Sequence, residues 1–160
     1  MNTAESFCFW QDQQMVAFRI GSRNYAMEIR NIQEIVRSQK ATRLPNSPGH
    51  VEGIINLRGS IIPTLNLHTL FGVPQTEITE NSRLVIITVD DVRYGIMVDE
   101  ASEVMRIPGT AVEATPEVGT GNQKDYIVGV AKFDEELWVI LDPRALTEFF
   151  KSNVDEKGLN

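Results

Sequence analysis

The chain repeats itself. The run Tyr25-Ala-Met-Glu-Ile-Arg-Asn-Ile-Gln-Glu-Ile-Val-Arg37 lies over Tyr94-Gly-Ile-Met-Val-Asp-Glu-Ala-Ser-Glu-Val-Met-Arg106, with Tyr25/Tyr94, Glu34/Glu103 and Arg37/Arg106 identical. A second block sets Gly53 to Leu70 over Gly129 to Leu146, with Gly53/Gly129, Leu65/Leu141 and Leu70/Leu146 identical and Asn66 against Asp142. The second displacement exceeds the first, so the later copy carries extra residues in its middle connection. A chain built this way must make one small unit twice.

That unit is made of strands. Val16, Phe18 and Ile20 share one face, Gly21-Ser22-Arg23-Asn24 reads as a turn, and Tyr25, Met27 and Ile29 return. Asn31 to Arg37 fits a helical turn or a strand. Pro45, Pro48 and Gly49 mark a loop. Val51–Leu57 and Ile61–Leu65 form a hairpin around Arg58-Gly59-Ser60. Leu84–Val89, Tyr94–Val98 and Val104–Ile107 are further strands. An acidic connection from Pro108 to Lys124 leads to a last hairpin, Tyr126–Phe133 with Leu137–Leu141. No long helical pattern separates the strands, which argues against parallel βαβ winding and favours all-β barrels or sandwiches. Asn66 and Asp142 each end a strand before a short apolar segment and suit the N-cap position; Pro143 suits the first helical residue. Each lobe is expected to end in a short capping helix. The layout is a flexible leader over 1–15, one domain over 16–150 and a polar tail over 151–160.

Composition narrows the function. Of 160 residues 42% are hydrophobic, enough for a packed core without staples. Net charge is −7, and the 15 basic residues form no run, so phosphate-driven nucleic-acid binding is not expected. Cys8, the one cysteine, excludes an intramolecular disulfide and fits a reducing cytoplasm. Neither a signal peptide nor an uninterrupted membrane span is present, which predicts a cytoplasmic protein with no membrane insertion of its own.

Catalytic chemistry finds no foothold. His50 and His68 have no ligand partners at metal spacing, so no metal is expected. Asp90-Asp91, after an apolar strand, resembles the opening of a phospho-receiver, but a tight hairpin follows where such a site needs helices. Asp134-Glu135-Glu136 reads as a solvated turn, since catalytic carboxylates need burial. Gly119-Thr120-Gly121 is no phosphate loop. Cys8 lacks a histidine partner. The chain is therefore read as a non-enzyme with no cofactor. Phe7, Phe9 and Trp10 in the leader either fold back on a lobe or offer an apolar patch; Trp138, matched by Ile62, belongs in the core or the seam, or else lines a contact.

The two copies also separate scaffold from site. What both share is demanded by the fold: Gly53 and Gly129 where backbone packs closely or bends, Tyr25 and Tyr94 against their own lobe. What differs at exposed positions is free for function. Asn56-Leu57-Arg58-Gly59 at one hairpin tip faces Lys132-Phe133-Asp134-Glu135 at the other. An arginine there is either a solvated turn charge or a rigid fork of donors for a partner's oxygens.

The same stretch, Gly53-Ile-Ile-Asn-Leu-Arg-Gly-Ser-Ile-Ile-Pro-Thr-Leu-Asn-Leu67, resembles the signature of the CheW family, the coupling adaptors of bacterial chemotaxis. Gly95-Ile-Met-Val-Asp99 with Glu103-Val104, and Tyr126-Ile-Val-Gly-Val-Ala131 with Val139-Ile-Leu-Asp142, add to it; Asn66 and His68 depart from the family's usual Asp and Arg. The resemblance runs from about Val16 to Phe150. It implies two SH3-like five-stranded barrels, intertwined in one domain. It also implies an adaptor that bridges the cytoplasmic tip of chemoreceptors to the regulatory domain of the CheA histidine kinase. Arg58, Asn56, Leu57, Gly59, Ile32 and Glu34 would then face the receptor. Glu34 ranks below Arg58, because its repeat at Glu103 marks it as structural. The kinase would meet the second lobe at residues no local motif names. The rival reading is a sensor domain with a small-molecule pocket in the seam between lobes.

Overall fold

The computed structural model describes residues 13–45, 51–108, 111–113, 126–133 and 135–157. The strands are β1 (Gln13–Ile20), β2 (Arg23–Glu28), β3 (Ile32–Arg37), β4 (Val51–Leu57), β5 (Ser60–Leu65), β6 (Arg83–Val89), β7 (Val92–Val98), β8 (Glu100–Ile107), β9 (Val112–Glu113), β10 (Ile127–Phe133) and β11 (Glu136–Leu141). Helix α1 (Leu67–Phe71) follows β5 and α2 (Pro143–Lys157) follows β11. The undecided stretch from Asn31 resolves into both options in turn: a 3-10 turn over Ile29–Asn31, then strand β3. Pro48, Gly49, His50, Gly119 to Gly121, Asp134 and the leader residues Phe7 to Trp10 lie outside the described residues.

Two sheets result, ordered β8-β1-β2-β11-β10-β9 and β3-β6-β7-β5-β4. The all-β architecture is as expected, but the copies are not the lobes. The first copy gives β1 and β2 to one sheet and β3 to β5 to the other; the second copy does the reverse. Period-two alternation identifies a strand and its buried face, not its neighbour, so which strands cross over could not be read from the pattern; the intertwining followed from the family resemblance alone. The symmetry is kept in register. Val16 faces Val104 across β1–β8, and the copy-equivalent Val85 faces Ile35 across β6–β3. The parallel joins Ile140↔Ala26 and Thr64↔Gly95 are likewise equivalent.

Each sheet curls so that one run of chain borders both its edges. Beyond β3 the chain reaches Thr42, whose N–H and C=O bond Ile54 of β4 at 2.8 and 2.9 Å. Beyond β8 it reaches β9, which pairs with β10 at Val130↔Glu113. At both closures a glycine is obligatory. A Cβ on Gly53 would lie 2.3 Å from the Thr42 carbonyl oxygen, and one on Gly129 2.3 Å from that of Glu113. The repeated glycines therefore mark places where backbone approaches too closely for a side chain.

Tyr25 and Tyr94 do not pack within separate lobes. Both are buried in one core that joins the sheets, with Val16, Phe18, Ile20 and Met27 from one side and Val85, Ile87, Ile96 and Val98 from the other. The sheets carry so many apolar residues on their facing sides that the seam fills with side chains. Smaller cores sit beyond it, around Trp138, Ile140 and Ile107 in one sheet and Ile55, Ile62 and Leu84 in the other. Both helices start as expected: Asn66 Oδ1 accepts from Thr69 N at 3.1 Å and Asp142 Oδ1 from Arg144 N at 3.0 Å. α1 is a single short piece, whereas α2 runs on to Lys157.

Candidate functional site

The hairpin of β4 and β5 turns on two residues, Arg58 (φ 52°) and Gly59 (φ 89°), with Leu57 paired to Ser60 across its mouth. Positive φ at both central positions is the turn whose twist suits a two-residue hairpin. Gly59 has open space around it, so its role is conformational rather than steric. Asn56 Oδ1 accepts from Gly59 N at 2.9 Å and pins the turn from inside. Its carbonyl accepts from Gln39 Nε2 at 3.4 Å. Leu57 is half-buried against the core around Ile55 and Ile62.

This geometry lifts Arg58 out of the sheet, 67% exposed along its side chain, and carries it to β3. There its guanidinium donates to a carboxylate oxygen of Glu34, which is 27% exposed. The ladder between β3 and β6 slips between Ile32 and Glu34. Ile32, at the start of β3, is half-buried against the central core. The hydrogen bond from Arg58 holds the Glu34 carboxyl below its ordinary value, more than desolvation raises it, with smaller help from the charges of Arg58 and Arg93. Glu34 is therefore ionised, and the pair presents fixed charges on an open surface.

Of the six residues singled out in the sequence, the turn unites Asn56, Leu57, Arg58 and Gly59, and the ion pair brings in Glu34. Ile32 stands two residues from Glu34 with its side chain toward the core. Sequence reasoning missed the apolar neighbours. Ile61, opposite Asn56 on β5, is 58% exposed, and Ile35 on β3 is 37% exposed. Their copy-equivalents, Leu137 and Val104, are 60% and 48% exposed. The repeat itself held this signal: large apolar residues recur at both pairs of positions on the outward phase of their strands.

A second polar cluster lies at the β7–β8 junction. Asp99 accepts from Gly21 N at 2.5 Å and from the Thr76 hydroxyl, while its own N–H donates to Arg19 O at 2.9 Å. His68 of α1, nearly buried, has Nε2 at 3.2 Å from both carboxylate oxygens. Burial alone would raise the Asp99 carboxyl; the bonds from Thr76, Gly21 and His68 outweigh it and lower it. The cleft beside this cluster, with Glu52 and Asn66 in its wall, measures about 60 Å³. Ligand pockets run to roughly 300–1,000 Å³. Among the described residues no group of three or more His, Cys, Asp or Glu side chains is placed to hold a metal ion, and no helix is long and apolar enough to cross a membrane.

Comparison with known proteins places this architecture. Residues 14–150 match the CheW-like domain. The chain is 32% identical over 139 residues to the chemotaxis protein CheW of Bacillus subtilis, covering 85% of this chain and 87% of that one. It is 34% identical over 133 residues to CheW of Treponema pallidum, covering 81% and 78%, and 27% identical over 134 residues to the protein PilI of Pseudomonas aeruginosa, covering 83% and 74%. The crystal structure of the scaffolding protein CheW from Thermoanaerobacter tengcongensis superposes with a TM-score of 0.75 at 31% identity, covering 82% of this chain and 90% of that one. By sequence and by fold together, the chain belongs to the CheW-like family.

Proposed function

We propose that the protein is a non-catalytic adaptor of a chemotaxis-type signalling system, coupling the cytoplasmic tips of chemoreceptors to a CheA-type histidine kinase. It works in the cytoplasm and reaches the membrane through its receptors. The observation that carries the reading is the Arg58–Glu34 pair: exposed charges fixed by a two-residue turn and flanked by the exposed Ile61. Partner surfaces combine apolar anchors with a few oriented polar groups in this way. Asn56 and Gly59 hold the turn, Leu57 seats it on the core around Ile55 and Ile62, and Ile32 seats the start of β3 on the central core. The kinase's regulatory domain is assigned to the other sheet, where Leu137 and Val104 are exposed. Among the described residues, the packed core between the sheets and the small cleft beside Asp99 speak against a small-molecule sensor.

Calorimetric titration with a receptor tip fragment tests the reading. Arg58→Glu faces Glu34 with a second carboxylate on an exposed surface, so the fold should survive while receptor affinity falls by about 1–3 kcal/mol. Unchanged affinity, with a native circular dichroism spectrum, removes Arg58 from the receptor surface.

A further inference from the structure

Neither copy of the repeat is complete alone. Residues 13–71 supply β1 and β2 to one sheet and β3 to β5 to the other, and residues 83–157 supply the missing strands of both. Each helix caps the first hairpin of its own copy: Phe71 of α1 stacks on Tyr25 with centroids 5.3 Å apart, and Phe150 of α2 on Tyr94 at 4.7 Å. Every long antiparallel or parallel join between copies has its symmetry mate, β1–β8 with β6–β3 and β2–β11 with β7–β5. What links the copies covalently is the loop 72–82. Its start is anchored by Val73, packed on the central core with its N–H donating to His68 O at 2.8 Å, and beyond that it is held by polar contacts, Gln75 to Asn66 and Thr69, and Thr76 to Asp99.

The arrangement is that of a two-fold dimer of half-chains with a tether added. Such a tether raises the effective concentration of the second half to about 1 mM, and nothing in the joins distinguishes a half on the same chain from one on another. We propose that a second copy of this chain is a partner: two chains exchange halves reciprocally, giving a closed two-fold dimer in which both pairs of sheets are complete. Arg58 and Glu34 belong to the same copy, so each exchanged chain keeps its ion pair, and the dimer carries two.

The rival is that the contiguous sheet, residues 32–98, is the autonomous unit. Cutting the loop separates the two views. A protease site is placed between Glu77 and Asn81 of the full chain, and the folded protein is cleaved there. The expected result is that both pieces co-elute at the mass of the intact chain and melt in one transition. Pieces that separate under native conditions overturn the proposal. In the second arm, nitrogen-15-labelled and unlabelled intact chains are unfolded together and refolded at rising concentration, then weighed by native mass spectrometry. Mixed dimers with the native circular dichroism spectrum, increasing as the chain approaches the millimolar range, are expected. Monomer alone at every concentration overturns the exchange.

Discussion

Thr64 and Asp99 are polar residues in apolar company, and they answer to opposite rules. Thr64 is fully buried on β5 with no partner for its hydroxyl, and the copy-equivalent residue is the buried Ile140. Replacing it by valine keeps the shape and removes an unmet polar group, so Thr64→Val should raise stability by about 1 kcal/mol in a urea titration. Asp99 is fully engaged, and its carboxyl is lowered. A group depressed in the folded state stabilises above its unfolded value and loses that contribution as pH falls through the folded one. The wild type should therefore weaken below about pH 4 more steeply than Asp99→Asn, which should cost about 1–3 kcal/mol at neutral pH. Equal slopes in acid for the two proteins would contradict the role given to the Asp99 bonds. Neither feature was legible beforehand. Thr64 sits in an ordinary strand phase, and His68, Thr76 and Asp99 meet only because the loop after α1 returns to the β7–β8 junction.

At the scale of elements the repeat disclosed most. It located the hairpins, both helix N-caps and the two glycines, because the physical demand at each recurs and leaves the same residue twice. Gly53→Ala and Gly129→Ala should each destabilise by about 1–3 kcal/mol from overpacking against a carbonyl. Gly53 should suffer more, since its φ of 150° is also unfavourable to a side chain. Thermal melts of the two variants give the comparison directly, and a smaller loss at Gly53 would refute that ranking. The Glu34–Arg58 pair was only half legible. Repetition marked Glu34 as scaffold and novelty marked Arg58 as site, whereas the fold joins them across two strands that alternation could not register. The particular strands exchanged escaped for the same reason, since a strand's pattern is silent about which edge it will meet; only the family resemblance implied that the lobes intertwine.

The whole molecule is governed by the core between the sheets. Where a large apolar interface joins two units, they do not unfold or move independently. Hydrogen exchange should accordingly give amides of β2 in one sheet and β7 in the other the same, highest opening free energy; a clear gap between them would mean that the sheets open separately.

That shared core has a mechanical meaning for a linker protein. Two units hinged on a flexible joint would absorb a small displacement at one end and pass on little of it. Here Tyr25 and Tyr94 share one packed interior, so the two sheets are expected to move as one body. If the proposed assignment of partners holds, one that tilts against the Arg58 face would swing whatever is bound beyond Leu137 through the same angle, and a signal would cross this protein as a rigid rotation.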